Sequence, residues 1–426
     1  MMMLSLFGLL FGLMLIGVPV AVSLGTSTML TALMFTDVDL MGLPQKVFDG
    51  LDHYSLMAIP MFILAGAFLS KGSASTRIIE FAKSIVGHLP GGLPIAAIFA
   101  SVIFAAVSGS SPATVVAIGS VMYGAIKADG YPTKYAIGTI ATAGSLGILI
   151  PPSIVFIVYG VTAEQSIGKL FMAGVVPGIM IGFMLMVVTY VGAKRLGFKR
   201  TKMAPFSERM AKFKEAFWAL LLIVIVIGGI YGGLFTPTEA GAASAVYAFV
   251  VSVFIYKDLK IKDLYHIVLE AAMTSSMIFF IIANAMIFSH FLTEESIPQT
   301  ITQMILDAHV GQIMFLVIVN ILLFLMGQFM EPSSVVMITV PLLLPIAMSL
   351  GVDPIHFGVV MVVNMEIGMI TPPVGLNLFV ASGITGLSLK EVIVASIPWS
   401  LTIVAGLLLV TYIPEISLWL PNLMFK

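Results

Sequence analysis

The chain has 426 residues, 59% of them hydrophobic and only 10% Asp, Glu, Lys or Arg, with a formal net charge of −1. No soluble domain of this size needs so much apolar surface, so a soluble protein is excluded and an all-α polytopic membrane protein is expected. There is no Cys, and the six His have no metal-ligand spacing, which excludes a disulfide framework, a thiolate site and a transition-metal centre; the near-zero charge favours no partner class, and nucleic acid is not expected.

Residues 1 to about 22 are apolar, without a basic start or a small-residue cleavage site, and read as one retained membrane helix rather than a signal peptide. They open a scaffold region, 1–90, which ends near Lys71, Arg77 and Lys83 in an expected amphipathic helix along the membrane face. Residues 91–193 form a first repeat. Its apolar arms, 93–107 and 112–126, flank Ser108-Gly109-Ser110-Ser111. Each arm is about 22 Å long as a helix, short of the roughly 30 Å hydrocarbon core, which predicts a re-entrant hairpin over 93–127. A broken helix over 134–162 and a helix over 170–193 follow. Residues 194–310 hold a basic loop (194–214), spans at about 216–235, 239–256 and 264–290, and an acidic loop over 292–311. Residues 311–413 form a second repeat, with a hairpin over 313–350, a broken helix over 355–384 and a helix over 390–413; 414–426 is a tail.

The repeat rests on recurrence. Gly147-Ile148-Leu149-Ile150-Pro151-Pro152 returns 221 residues later as Gly368-Met369-Ile370-Thr371-Pro372-Pro373. Ser110-Ser111-Pro112-Ala113-Thr114-Val115-Val116 is echoed by Met330-Glu331-Pro332-Ser333-Ser334-Val335-Val336, and Lys169 and Pro177 by Lys390 and Pro398. Basic residues mark cytoplasmic loops. Lys194, Arg195, Lys199, Arg200, Lys202, Arg209, Lys212 and Lys214 place 194–214 inside, and Lys257, Lys260 and Lys262 return the chain inside. The segment 292–311 has Glu294, Glu295 and Asp307 but no Lys or Arg, as an outside loop should. The first repeat thus enters from inside and the second from outside, an inverted repeat that puts the C-terminus outside.

Proline donates no backbone hydrogen bond and disfavours helix in the residue before it, so each Pro-Pro opens the helix at Ile150 and at Thr371. Carbonyls freed at membrane depth line a cavity or lie buried, and suit a cation such as Na⁺. Ser108, Ser110 and Ser111 add oxygens at the first tip. The helices starting at Pro112 and Pro332 aim positive dipole ends at the site, where they favour a carboxylate. Thr236-Pro237-Thr238-Glu239 reads as a capping box. Glu331 and Glu366 are ionisable groups at membrane depth, functional by default, although Glu331 is equally placed to cap the Pro332 helix. Asn364 and Asn377 flank the second break, to contact substrate or to tie helices. Lys169 and Lys390 lie at helix ends, where they serve as interfacial anchors.

Two motifs then carry a family resemblance: Gly228-Gly229-Ile230-Tyr231-Gly232-Gly233-Leu234-Phe235-Thr236-Pro237-Thr238-Glu239-Ala240-Gly241, and Asn364-Met365-Glu366-Ile367-Gly368-Met369-Ile370-Thr371-Pro372-Pro373-Val374-Gly375-Leu376-Asn377-Leu378-Phe379. With them, essentially the whole chain resembles the large membrane subunit of tripartite ATP-independent periplasmic (TRAP) transporters, the DctM/SiaM-like family. The resemblance implies a bacterial inner-membrane, Na⁺-driven elevator importer of a carboxylate such as a C4-dicarboxylate or sialic acid. It implies a small four-helix (Q-type) membrane subunit, expected on a separate chain, and a periplasmic (P-type) substrate-binding protein. It further implies two Na⁺ sites, the first at Ser108, Ser110, Gly147, Ile150 and Pro152, the second at Gly327, Met330, Gly368, Thr371 and Pro373. Substrate candidates are Ser111, Thr114, Glu331, Ser333, Asn364 and Asn377. Na⁺ is the only cofactor expected, with no organic one.

An H⁺-coupled carrier using Glu331 or Glu366 is the rival within transport. An intramembrane serine hydrolase at 108–111 lacks a placed His base, and it leaves the repeat unexplained. No Gly-x4-Gly-Lys-Ser/Thr motif is present, since Gly168-Lys169 is followed by Leu170, so the chain itself is not an ATPase.

Overall fold

A computed structural model describes residues 1–36, 42–198 and 202–425; Lys199 and Arg200 of the basic cluster lie outside the described residues. All regular structure among the described residues is helical. The order is α1 (Met2–Leu15), α2 (Val20–Phe35), α3 (Leu43–Leu51), α4 (Ala58–Lys71), α5 (Ala74–Val86), α6 (Gly92–Ser108), α7 (Ser111–Ala128), α8 (Thr133–Ala143), α9 (Ile154–Thr162) and α10 (Ile167–Arg195). There follow α11 (Phe206–Tyr231), α12 (Pro237–Val250), α13 (Ile261–Glu294), α14 (Ile297–Asp307), α15 (Gln312–Gly327), α16 (Pro332–Ser349), α17 (Pro354–Met369), α18 (Leu376–Thr385), α19 (Leu389–Tyr412) and α20 (Glu415–Met424). Among the described residues, seven helical segments are long and apolar enough to cross a membrane, so the chain is a multi-pass membrane protein.

Both predicted hairpins are present as helix pairs: α6 packs on α7, and α15 on α16. Each predicted broken helix is two helices with an irregular joint, α8 and α9 in the first case, α17 and α18 in the second. A 3₁₀ turn, Gly144–Ile148, leads into the first break. Both Pro-Pro bonds, 151–152 and 372–373, are cis. Of these seven segments α16 is the most enclosed, with 72% of its most apolar stretch buried against 33–50% for the others, so it lies inside the protein rather than against lipid.

Four expectations need correction. The first 22 residues are not one helix: α1 ends at Leu15, Gly17 takes φ +88°, and α2 starts after Pro19, whose ring cannot continue α1. The acidic loop 292–311 contains α14, with Pro298 in its first turn, where the missing N–H has no partner to lose. The tail contains α20, which packs against α10 and is held where Ser417 Oγ lies 2.7 Å from His356 Nδ1. The basic loop is also shorter than expected, because α11 starts at Phe206 and carries Arg209, Lys212 and Lys214 on its first turns.

The amphipathic helix appears as α5, burying Ile78, Ile79 and Ala82 while Arg77 stacks 4.2 Å from the Tyr256 ring. The Thr236 capping box is formed: Glu239 Oε2 accepts from the Thr236 N–H at 2.8 Å, and Thr236 Oγ1 accepts from the Glu239 N–H at 3.2 Å. Lys169 sits in the first turn of α10, 5.9 Å from the Phe425 ring. Lys390 is likewise in the first turn of α19.

Candidate functional site

The first tip is seated on the first break by backbone contact. Gly109 turns the chain at φ +60°, and a Cβ there would stand 2.7 Å from the Pro152 carbonyl oxygen. A Cβ on Gly147 would stand 2.6 Å from the Ser110 carbonyl oxygen and 2.8 Å from Ser111 Cα. Only glycine allows both approaches. Inside the tip, Thr114 Oγ1 donates to the Ser110 carbonyl at 2.8 Å, and Ser108 Oγ does so at 3.3 Å. The two hydroxyls are 3.0 Å apart. Ser153 caps α9, accepting from the Phe156 N–H at 3.4 Å and donating to the Ile148 carbonyl. Among the described residues, the Ile150 and Pro152 carbonyls receive no hydrogen bond. Oxygen donors thus cluster in a buried joint, the chemistry a hard cation requires.

The second half repeats the approach with different residues. A Cβ on Gly368 would stand 2.5 Å from the Gly327 carbonyl carbon and 2.6 Å from its oxygen. The Val374 N–H donates to the Gln328 carbonyl at 3.1 Å, a second tie between tip and break. Thr371 Oγ1 donates to the Ile367 carbonyl at 2.7 Å, leaving its lone pairs free. Met330 is buried. Exposure separates the halves: Ile150, Pro151 and Pro152 are buried, while Pro372, Pro373 and Val374 are exposed.

Glu331 is the N-cap of α16. Its Oε2 accepts from the Ser334 N–H at 3.2 Å and its Oε1 from the Ser333 hydroxyl at 2.9 Å. No acidic residue occupies the first turn of α7. The two helix starts meet in one cavity of about 160 Å³, lined by Ser110, Ser111 and Pro112 from one tip and Glu331, Pro332 and Ser333 from the other. Ile148, Met369 and, from α13, Thr274, Met277 and Ile278 close it. A neighbouring cavity of about 360 Å³ shares Ser110, Ile154 and Thr274 with it. A larger one of about 590 Å³, lined by His53, Glu164 and Phe235 among others, lies away from both tips.

Of the substrate candidates, Ser111, Glu331 and Ser333 line the central cavity, and Thr114 is turned into the tip. Asn377 accepts from the Ser111 hydroxyl at 3.0 Å through Oδ1 and donates to it at 2.7 Å through Nδ2, tying α7 to α18. Asn364 stands apart: its Nδ2 donates to Asn320 Oδ1 at 2.7 Å, and Asn320 reaches Thr411 at 3.3 Å, a ladder joining α15, α17 and α19. Glu366 is fully buried, and neither carboxyl oxygen has a hydrogen-bond partner among the described residues. The α13 wall, the Gly109 contact and the Ser153 cap did not emerge from the sequence. Ser153 had a signal, a Ser between Pro-Pro and an apolar run; Thr274, inside an unbroken apolar span, had none.

The chain is similar to known transporter proteins over nearly its whole length. Residues 7–416 match the sequence profile of the family described as "Tripartite ATP-independent periplasmic transporter, DctM component". The chain is 50% identical to the C4-dicarboxylate TRAP transporter large permease protein DctM of Rhodobacter capsulatus, over 99% of both chains. It is 51% identical to the protein of the same name from Pseudomonas aeruginosa, over 94% of both. In shape it resembles the YdaH transporter of Alcanivorax borkumensis, with a TM-score of 0.61 at 15% identity over 88% of this chain and 89% of that one, a likeness of fold alone.

Proposed function

This chain belongs to the DctM family of tripartite ATP-independent periplasmic transporters, as the large membrane permease and not an enzyme, and on that premise we propose that it imports a small organic anion, a C4-dicarboxylate, coupled to Na⁺. The observation that carries the proposal is the convergence of two helix starts on one cavity, which Ile148 and Ile154 on either side of the first Pro-Pro joint and Met369 and Leu376 on either side of the second also line. A helix N-terminus presents unpaired N–H groups and partial positive charge to a carboxylate. The α7 start is open for that purpose, whereas Glu331 already occupies the α16 start. Cations at the joints would offset both the substrate charge and Glu331.

The choice of a C4-dicarboxylate rests on the relatives near 50% identity, which are named for that substrate. The two Na⁺ sites are assigned as Ser108, Ser110, Gly147, Ile150 and Pro152, and as Gly327, Met330, Gly368, Thr371 and Pro373.

The repeats are inverted across the bacterial inner membrane, with re-entrant hairpins whose tips meet at mid-depth. Hairpins and broken helices move together as an elevator against a scaffold that includes α4, α11, α12 and α13. A small four-helix subunit supports the scaffold, and a periplasmic binding protein delivers the substrate.

The test is uptake of labelled succinate, a C4-dicarboxylate, by proteoliposomes holding the complete complex at fixed pH. An imposed Na⁺ gradient should drive accumulation, and uptake indifferent to Na⁺ would sink the proposal. The rival, H⁺ coupling, draws on one observation, the unpartnered Glu366. It requires accumulation driven by a pH gradient without Na⁺.

A further inference from the structure

The 360 Å³ cavity adjoins the central one, since Ser110, Ile154 and Thr274 line both. It is lined as well by Lys71, the last residue of α4, and Glu270 of α13. Lys71 Nζ lies 3.0 Å from Glu270 Oε2 and 3.1 Å from Oε1. The two side chains are 50% and 58% exposed, and an ion pair so open to solvent contributes little to stability. Among the described residues, Lys71 is the one cationic side chain lining either cavity. Arg77 is committed elsewhere, to Ser73 Oγ at 2.9 Å and to the Tyr256 ring. The basic residues of this end of the molecule, Lys71, Arg77 and Lys83 with Lys257, Lys260 and Lys262, put it on the cytoplasmic side.

We propose that Lys71 is a second carboxylate subsite, on the release side. An anion leaving the tips takes the place of Glu270 against the Lys71 ammonium before it enters the cytosol. Glu270 is a built-in competitor: it keeps the subsite weak, so the anion departs, and it reoccupies Lys71 afterwards. Weak, sequential sites are what conduction through a narrow route requires. The proposal rests on the reading of the substrate as an organic anion.

The ion pair and the subsite make opposite predictions for two isosteric variants, Lys71→Gln and Glu270→Gln. In the complete complex, exchange of labelled succinate added from the cytoplasmic face should need about two- to fivefold more substrate for half-saturation in K71Q, and less than wild type in E270Q. Each variant removes the same ion pair, so a merely structural bridge moves both in one direction, and that result overturns the subsite. A second measurement does not need transport. The chain has no Cys, so Ser70→Cys, which lines the same cavity, reports on that cavity alone. Its labelling by an anionic thiosulfonate, relative to a neutral one, should slow in K71Q and quicken in E270Q. A ratio unchanged in both overturns the subsite even if uptake is normal. A ratio that shifts as expected, in a protein that carries no carboxylate, upholds the anion subsite and sinks the substrate reading instead.

Discussion

The Ser111 hydroxyl and the Asn377 amide meet at 2.7 and 3.0 Å across 266 residues of chain. Both side chains are fully buried. The pair fastens the open helix start of the first tip to α18, just beyond the second break. Truncating Asn377 to Ala leaves the Ser111 hydroxyl unpaired and is expected to cost about 1–3 kcal/mol of stability. Uptake should fall more than stability does, because Ser111 lines the cavity. Thermal unfolding and succinate uptake of N377A, S111A and the double variant check this. Additive losses would show that the two residues are not coupled.

The glycines at the tip–break contacts give a sharper test. Gly147→Ala and Gly368→Ala each place a methyl group 2.5–2.6 Å from backbone atoms of the facing tip. Overpacking of this kind costs about 1–3 kcal/mol and pushes the tip away. Both variants should reach the membrane and fail to transport. Gly124→Ala is the control: it lies inside α7 with nothing within 4 Å, and it should be neutral or stabilising by up to about 1 kcal/mol.

Glu331 caps the α16 start, next in sequence to Met330 of the proposed second cation site. Glu331→Gln keeps acceptor capacity for the Ser334 N–H but removes the charge. The Na⁺ concentration for half-maximal uptake is expected to rise about tenfold, equivalent to losing a contact of roughly 1.4 kcal/mol. Uptake measured against Na⁺ at constant ionic strength checks it, and an unchanged Na⁺ requirement would remove Glu331 from the coupling mechanism. Glu366→Gln should leave Na⁺-driven uptake within about twofold, since an isosteric amide keeps the packing of the buried site. Loss of uptake in E366Q, with the protein folded, would favour the proton-coupled alternative.

The elevator itself is testable through the cavity shared by α4 and α7. Ala67 and Ala113 line it from those two helices. Paired cysteines there, joined by a bifunctional thiol reagent, should stop uptake while leaving the binding protein able to dock. Normal uptake by the cross-linked pair would refute relative motion of scaffold and tips.

How much was legible follows from what punctuates an apolar chain. Pro112 and Pro332 mark the tips because proline is favoured in a first helical turn, and Pro151-Pro152 and Pro372-Pro373 mark the breaks because two prolines in a row open the ladder, whereas the single Pro177, Pro341, Pro345 and Pro398 stay inside helices. The arms of both hairpins accordingly lie within a few residues of their expected limits. The same residues misled at the edges. Pro298 opens α14 and Pro414 precedes α20, and both stretches had been expected to be irregular. Gly17 and Pro19 divide the first segment, a signal outweighed by its uniform apolarity. Partnerships across the fold were not legible at all. Nothing local says that Asn377 meets Ser111 while Asn364 turns to Asn320, or that α13 closes the cavity with Thr274.

The unequal exposure of the two Pro-Pro joints has a kinetic consequence. Pro372 and Pro373 are exposed, whereas Pro151 and Pro152 are buried beneath the first hairpin tip. If each joint holds a cation, the two ions exchange at different rates, the one at the exposed joint directly and the one at the buried joint only by way of the cavity that Ser108 and Ser110 line. The slow ion sets the lifetime of the loaded state, and the fast one makes that lifetime responsive to the salt outside.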